Sequence, residues 1–184
     1  MTERLPSPQT AMKLLSKSGC SKRVIAHCKA VSDLAVKLAN SCKERGLKVD
    51  VELVEVGALL HDIGRSKTHN VNHSIVGVEI ARSLNLPQSI IAIIERHVGG
   101  GISADEAEKL GWPVKNYFPA TLEEKIVSYA DKLIEGFKVV PIEKTLHSLS
   151  LELGENHPAI ARIRRLHEEL SQLIGDINAN SHGS

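Results

Sequence analysis

The sequence predicts an all-α protein in which seven or eight helices pack as one bundle-like domain. Apolar residues recur at steps of three and four along most of the chain, which is the spacing of one face of an α-helix. Residues typical of helix ends bound these segments, whereas Val- and Thr-rich alternating runs between turn signals are absent. We therefore expect helices throughout and no β-sheet.

The helices of the first half are bounded by recognisable caps. The first begins with Ser7 as N-cap and Pro8 in its first turn, and it ends before Gly19. Gly64 follows the third helix in the position of a left-handed C-terminal residue. The predicted segments run over 8–18, 21–45, 51–62, 72–84 and 87–97.

The second half begins with a glycine hinge at 99–101 and contains a proline-bearing loop at 112–119. Ser103 with Glu106 matches a capping box, and Thr121 with Glu124 matches a second one. The predicted helical segments run over 103–110, 121–135, 142–153 and 158–176.

The length of 184 residues is that of one domain. We expect a core over 21–138, a C-terminal helical extension over 141–176 and a polar tail over 177–184. Three cysteines without CxxC spacing, and an N-terminus without an apolar leader, predict a reducing, cytoplasmic location. The apolar faces fit a monomer or a homodimer.

The composition argues against several classes of protein. Lys and Arg number 23 against 22 Asp and Glu, and a formal net charge of +1 is unlike a protein that coats nucleic acid or an anionic membrane. Aromatic residues make up 3% of the chain, which disfavours a base-stacking single-strand binder. No apolar run approaches the roughly 20 residues that span a bilayer. We expect neither extended nucleic acid nor a membrane among its partners.

Six ionisable side chains fall on the inward faces or at the ends of five predicted helices: His27, His61, Asp62, His73, His97 and Asp131. A single inward histidine is more often a hydrogen-bonded core residue than a ligand. An unpaired buried carboxylate costs several kcal/mol, however, and six such groups satisfy one another only around a cation. Imidazoles and carboxylates without thiolate suit Mn, Fe, Co, Ni or Zn, and six ligands exceed one tetrahedral ion. We therefore expect a site for two metals.

These residues stand in recognisable motifs, with HDIG at 61–64, NHSIVGVEIA, IERHVGG and YADKL following in order. The pattern resembles the HDIG-type branch of the HD superfamily of metal-dependent phosphohydrolases over about residues 21–138. The same stretches are similar to bacterial HD-type diadenosine tetraphosphate hydrolases and closer still to uncharacterised archaeal HDIG proteins. The segment from Gly99 to Pro119 is longer than those hydrolases imply, which leaves the substrate open.

The resemblance implies an all-α fold and a role for each motif residue. The family's ligands of the first metal match His27, His61, Asp62 and Asp131. Asp62 also matches the carboxylate that bridges two metals, and His73 and His97 match the ligands of the second.

The predicted activity is hydrolysis of a phosphoester or phosphoanhydride of a small nucleotide or dinucleotide by a metal-activated water. Asp62 is the central carboxylate, and Arg65 and Lys132 are the candidates for stabilising charge on the phosphoryl oxygens. Three alternatives stay open: a phosphodiesterase for cyclic or short oligonucleotides, a non-catalytic nucleotide sensor, and an enzyme with one metal.

Overall fold

A computed structural model describes residues 4–175. Over this range the chain forms nine α-helices, so the predicted all-α class is confirmed. The helices are α1 (Pro8–Ser18), α2 (Lys22–Glu44), α3 (Val51–Leu60), α4 (His73–Ser83), α5 (Gln88–Arg96), α6 (Ala104–Lys109), α7 (Leu122–Lys132), α8 (Ile142–Leu153) and α9 (Pro158–Ile174). Two short 3₁₀ turns, Ile63–Ser66 and Val98–Gly100, follow α3 and α5. The number exceeds the expected seven or eight, although each of the nine corresponds to one of the predicted helical segments.

Most of the predicted caps form, but the box at Thr121 is incomplete and Gly64 does not act as a C-terminal cap. The capping box at Ser103 is complete, since its side chain accepts from the Glu106 amide while the Glu106 carboxylate accepts from the Ser103 amide. At Thr121 only half of the box exists. The hydroxyl accepts from the amide of Glu124, but the Glu124 carboxylate turns to the amide of Ala120 at 2.7 Å.

A small β-hairpin replaces the predicted last turn of α7. That helix ends at Lys132, and strands β1 (Ile134–Glu135) and β2 (Lys138–Val139) pair antiparallel. The two-residue loop begins with Gly136, whose φ of +63° favours glycine. The expectation of no sheet is therefore wrong at this one place, because strands of two residues carry no alternating pattern to detect.

Gly64 is not the left-handed C-terminal residue that the sequence suggested. It lies inside the first 3₁₀ turn, and its φ is not positive. A Cβ atom added there would lie 1.8 Å from the carbonyl oxygen of His73 and 2.6 Å from the amide nitrogen of Gly77. The glycine is required because the backbone of α4 crosses directly over it.

The buried residues form two large clusters and one small cluster. One large cluster joins α2, α3 and α7 to the C-terminal helix α9, and the other joins α1, α4 and α5 to the opposite sides of α2 and α3. The small cluster is built by the segment 99–119 around Trp112 and Tyr117. No helix within residues 4–175 combines the length and apolarity needed to cross a membrane.

Candidate metal centre

The six predicted ligands meet where several helices end. His27 stands within α2, and the other five lie at or beside helix termini: His61 and Asp62 after α3, His73 at the start of α4, His97 after α5 and Asp131 near the end of α7. His61, Asp62, His73 and His97 are each less than 5% exposed. The arrangement concentrates ionisable groups in a place that water barely reaches.

The two carboxylate oxygens of Asp62 face different pairs of histidines. Its Oδ1 lies 3.1 Å from His73 Nε2 and 3.4 Å from His97 Nε2. Its Oδ2 lies 3.8 Å from His27 Nε2 and 3.7 Å from His61 Nε2. Asp62 therefore stands between two halves of one cluster.

Asp131 belongs to the half that contains His27 and His61. Its Oδ1 lies 3.0 Å from His27 Nε2 and 3.4 Å from His61 Nε2. In the other half, the Nε2 atoms of His73 and His97 are 3.0 Å apart. Each half thus presents two imidazole nitrogens and at least one carboxylate oxygen to a shared space.

Backbone carbonyl groups fix the orientation of all four imidazole rings. Each Nδ1 lies within 2.8 Å of a carbonyl oxygen: His27 with Gly136, His61 with Ala58, His73 with Asn70 and His97 with Ile94. A carbonyl can only accept, so each Nδ1 carries the proton. In the neutral form of each ring the Nε2 lone pair would therefore point into the cluster, which is the tautomer of a metal-binding histidine.

The electrostatics of the cluster favour a cation. Burial lowers the pKa of His97 to about 4, so that ring is neutral at physiological pH. Burial also acts to lower the pKa of His61, but the charges of Asp62 and Asp131 outweigh it and raise that pKa. The carboxyl pKa of Asp62 lies well below its usual range, because the neighbouring imidazoles outweigh the effect of burial. The pKa of Asp131 is lowered as well, so both aspartates are ionised and able to bind a cation.

The donor set fits transition-metal ions. His61 Nε2 and Asp62 Oδ1 are buried without a hydrogen-bond partner, which is costly unless another group binds them. Two overlapping sets, His27–His61–Asp131 and His61–Asp62–His97, bring their ligand atoms within 4.8 Å of one another. Imidazole and carboxylate without thiolate suit Mn, Fe, Co, Ni or Zn.

A cleft of about 420 Å³ opens onto this cluster. Arg65 lines it, and its Nε lies 2.6 Å from Asp62 Oδ2 while its Nη1 donates to the carbonyl of His69 at 3.1 Å. The complete lining consists of Ser21, Arg23, Val24, His27, Asp62, Arg65, His69, Asp131 and Gly136. Of the candidates for stabilising charge, Arg65 therefore lies where a bound anion would meet it.

Lys132 occupies a different position from Arg65. Its Nζ contacts Asp131 Oδ2, and the side chain lines a second cavity of about 190 Å³ between the hairpin and α8. Asp131 lines both cavities. Lys132 thus neutralises the Asp131 carboxylate from the side away from the main cleft. Burial acts to raise the pKa of Asp131, but the charge of Lys132 helps to hold it well below the usual range.

Two features of the cleft were missed by the sequence analysis. Arg23 lies four residues before His27 on α2, so helical spacing alone could have placed it beside the site. The carbonyl of Gly136 orients His27 across 109 positions of sequence, and no local pattern signals such a contact. Among the described residues that line the cleft, none comes from the long segment 99–119.

Comparisons with known proteins agree with this architecture. The family model described as HD domain matches residues 24–135. The uncharacterized protein MJ0778 of Methanocaldococcus jannaschii is 49% identical over 166 residues, which cover 90% of this chain and 98% of that protein. The chain is also 38% identical to the tRNA (cytidine(56)-2'-O)-methyltransferase of Picrophilus torridus over 95% of its own length, yet it spans only 49% of that protein.

A solved structure shows the same fold. The HD domain of the Listeria monocytogenes phosphodiesterase PgpH, in complex with cyclic-di-AMP, superposes with a TM-score of 0.55 at 19% identity, over 95% of this chain and 98% of that one. The family match covers well over half of the chain and includes all six clustered residues, from His27 to Asp131. The chain belongs to the HD domain family.

Proposed function

We propose that this protein is a metal-dependent phosphohydrolase that cleaves a phosphoester or phosphoanhydride bond of a small nucleotide or dinucleotide. The observation that carries the proposal is Asp62, whose two oxygens each face a pair of inward-pointing imidazole nitrogens. One divalent ion would be held by His27, His61, Asp131 and Asp62 Oδ2. A second would be held by Asp62 Oδ1, His73 and His97.

The metals and the protein have separate tasks in this proposal. When bound, two such ions supply a water nucleophile at neutral pH and positive charge for the phosphoryl oxygens. Arg65 adds a guanidinium at the cleft wall, where its bonds to Asp62 and to the His69 carbonyl hold it in place. A fixed guanidinium is well suited to the planar spread of charge on a transferring phosphoryl group.

The size and charge of the cleft support a small anionic substrate. Its volume of about 420 Å³ lies within the range of small-molecule sites. Arg23 and Arg65 line it, whereas the whole chain carries a net charge of only +1. The two arginines balance Asp62 and Asp131 of the same lining, so bound divalent ions would make the cleft positive. A positive charge confined to the cleft would favour a phosphorylated small molecule over a polymer that needs an extended basic surface.

A phosphodiesterase is the second candidate, and a specific observation favours it. The cavity lined by Lys132, Thr145 and Ser148 adjoins the main cleft at Asp131, so space exists on two sides of that carboxylate. A diester carries a group on each side of its phosphorus atom. PgpH, whose HD domain has the same fold, is a phosphodiesterase, and the structure of that domain was solved in complex with cyclic-di-AMP.

The site does not favour the methyl transfer named for the Picrophilus relative. This chain spans 49% of that protein, and its cleft is built from imidazoles and carboxylates. Those groups serve hydrolysis at phosphorus better than transfer of a methyl group.

The test is a phosphate-release and product screen over mononucleotides, cyclic nucleotides, cyclic dinucleotides and dinucleoside polyphosphates, with Mn²⁺, Fe²⁺ or Co²⁺ supplied. We expect turnover by the wild-type protein with close to two metal equivalents per chain. Asp62→Ala removes the ligand that both halves share, so it should abolish turnover and reduce bound metal. Arg65→Ala should retain the metal and lower kcat roughly 10²-fold, as the loss of one charge-stabilising donor does.

Asp33→Ala provides the matched control, because this aspartate is an exposed carboxylate on α2 whose one ion pair within residues 4–175 is with Lys29 of the same helix. It should leave both metal content and turnover unchanged. Unaltered turnover in Asp62→Ala would contradict the assignment of the site. Bound metal with no turnover across the whole panel would point instead to a nucleotide sensor.

A further inference from the structure

The segment 99–119 packs beside the histidine cluster without entering the cleft. Its buried residues form the small apolar cluster with side chains from the start of α4 and from the turn after α5: Ile102, Ala107, Trp112 and Tyr117 against Val71, Ile75 and Val98. The segment therefore covers the half of the site that contains His73 and His97. This placement raises the question of what its one tryptophan does there.

A chain of hydrogen bonds runs from Trp112 to His73. The indole Nε1 donates to Asn72 Oδ1 at 2.7 Å. The backbone amide of Asn72 donates to the side-chain oxygen Oδ1 of Asn70 at 2.9 Å. The backbone carbonyl of Asn70 in turn accepts from His73 Nδ1 at 2.7 Å. The turn over 70–73 that aims the His73 ring is thus held from the side of the segment 99–119.

Asn72 makes this contact in place of a helix cap. Asparagine before the first turn of a helix usually accepts from a backbone amide of that turn, which stabilises the helix. Asn72 has helical dihedral angles, and its side chain makes no capping bond to α4. Its oxygen is directed to Trp112, so α4 lacks an ordinary cap at the residue that precedes a candidate metal ligand.

Trp112 is itself rigidly placed. Its side chain is 6% exposed, and its ring meets that of Tyr117 edge to face with 5.4 Å between centroids. Tyr117 donates its hydroxyl proton to the carbonyl of Pro113 at 2.8 Å, which closes the turn around the tryptophan. An indole N–H can only donate, so Trp112 is the donor and the Asn72 oxygen the acceptor of their hydrogen bond.

We propose that Trp112 is a positioning residue for the second metal, acting through Asn72 to hold the turn that orients His73. The inference rests on the proposed function, because it requires a metal held by Asp62, His73 and His97. It assigns to the long segment 99–119 the task of ordering one half of the metal site rather than shaping the cleft.

The test measures metal binding, not turnover. Purified variants are dialysed to equilibrium against a series of Co²⁺ concentrations, and bound cobalt is determined by elemental analysis. Trp112→Phe keeps an aromatic ring in the small cluster but removes the donor. We expect the dissociation constant of the second equivalent to rise about tenfold or more, as expected for the loss of an outer hydrogen bond, and that of the first to stay unchanged.

A double-mutant cycle separates this route from general loosening. Asn72→Ala should weaken the second equivalent as much as Trp112→Phe does, and the double variant should be no weaker than either single variant. Tyr117→Phe is the matched control, since it removes a hydrogen bond from the same cluster without touching Asn72. It should bind both equivalents with wild-type affinity.

The outcomes distinguish the two proposals. A wild-type protein that binds one equivalent at saturation contradicts the proposed second metal, and the role of Trp112 fails with it. A wild-type protein that binds two, together with Trp112→Phe at unchanged affinity, overturns the role of Trp112 alone. Equal weakening by Tyr117→Phe would also overturn it, because packing and not the Asn72 bond would then be responsible.

Discussion

At the scale of single residues, Glu106 shows how one carboxylate connects two distant parts of the chain. Its Oε2 accepts from the Ser103 amide at 2.8 Å and completes the cap of α6, while its Oε1 accepts from Arg162 Nη2 of α9 at 2.9 Å. Burial acts to raise the pKa of Glu106, but Arg162 and the Ser103 bonds outweigh it and lower that pKa. The ionised form is therefore the one that stabilises the fold.

This shift predicts a pH-dependent contribution to stability. Because the pKa of Glu106 is lower in the folded protein, its stabilising effect is present above the unfolded pKa of about 4.3 and is lost as pH falls through the folded value. Glu106→Gln keeps the capping geometry but removes the charge, so it should cost about 1 kcal/mol at pH 7 and progressively less below about pH 4. Urea unfolding at several pH values measures the difference.

Glu152→Gln, at an exposed glutamate of α8, serves as the comparison and should change stability little at any pH. A loss from Glu106→Gln that stays constant down to pH 3 would show that the charge pair with Arg162 is not responsible.

The residue scale also shows what helical spacing can reveal. Spacing placed His27, His73, His97 and Asp131 on inward faces, and all four lie in the cluster. It could not reveal that backbone carbonyls hold the ring protons at Nδ1, because the partner of His27 is Gly136 on a separate hairpin. The helix face on which a residue lies follows from the local sequence. The tautomer of a histidine depends instead on the groups that the fold places next to its ring.

At the scale of elements, the crossing of α4 over the turn after α3 depends on Gly64. That turn carries Asp62, and α4 begins with His73, so the crossing sets the distance between the two side chains. Any side chain at position 64 would collide with backbone atoms of α4, which cannot rotate away. Gly77, on the facing turn of α4, would instead place a Cβ 2.8 Å from the Cγ2 methyl group of Ile94 and 3.3 Å from the amide nitrogen of Gly64.

The two glycines should therefore respond differently to alanine. Gly64→Ala should lower the free energy of unfolding by about 4 kcal/mol or more, because α4 has to move as a whole. Gly77→Ala should cost only about 1–2 kcal/mol, since Ile94 can change rotamer and alanine favours the helix by up to about 1 kcal/mol. Chemical denaturation of both variants measures the ranking, and an equal cost would contradict this account of the crossing.

Element boundaries were predicted well where caps are local and poorly where the fold decides. Ser7 and Ser103 each cap the helix that the sequence assigned to them. The end of α7 was placed three residues too late, because Leu133 and Ile134 continue its apolar stripe while their backbone already enters the hairpin. From its sequence context, Gly64 is indistinguishable from a C-terminal cap. Only the passage of α4 over it shows that its role is to allow a close backbone contact.

At the scale of the whole molecule, the C-terminal extension is part of the main core. The family match ends at residue 135, yet α9 contributes four buried side chains to the cluster that contains α2, α3 and α7: Ile163, Leu166, Leu170 and Ile174. The other large cluster shares α2 and α3. The candidate metal site lies between helices of both clusters, so its geometry depends on all of them folding together.

We predict that the described chain unfolds as one cooperative unit. Leu170 is fully buried, and its replacement by alanine should cost about 3 kcal/mol. Leu151, on α8, is 75% exposed and provides the control, for which the expected change on replacement by alanine is within about 0.5 kcal/mol.

Two spectroscopic probes test whether the unfolding is cooperative. Far-UV circular dichroism reports on all helices, whereas fluorescence reports on Trp112, the one tryptophan of the chain, in the separate small cluster. Leu170→Ala should shift both transitions equally, because a core shared across α2, α3 and α9 cannot open in part. A shift confined to circular dichroism would show that α9 unfolds independently of the segment around the metal centre.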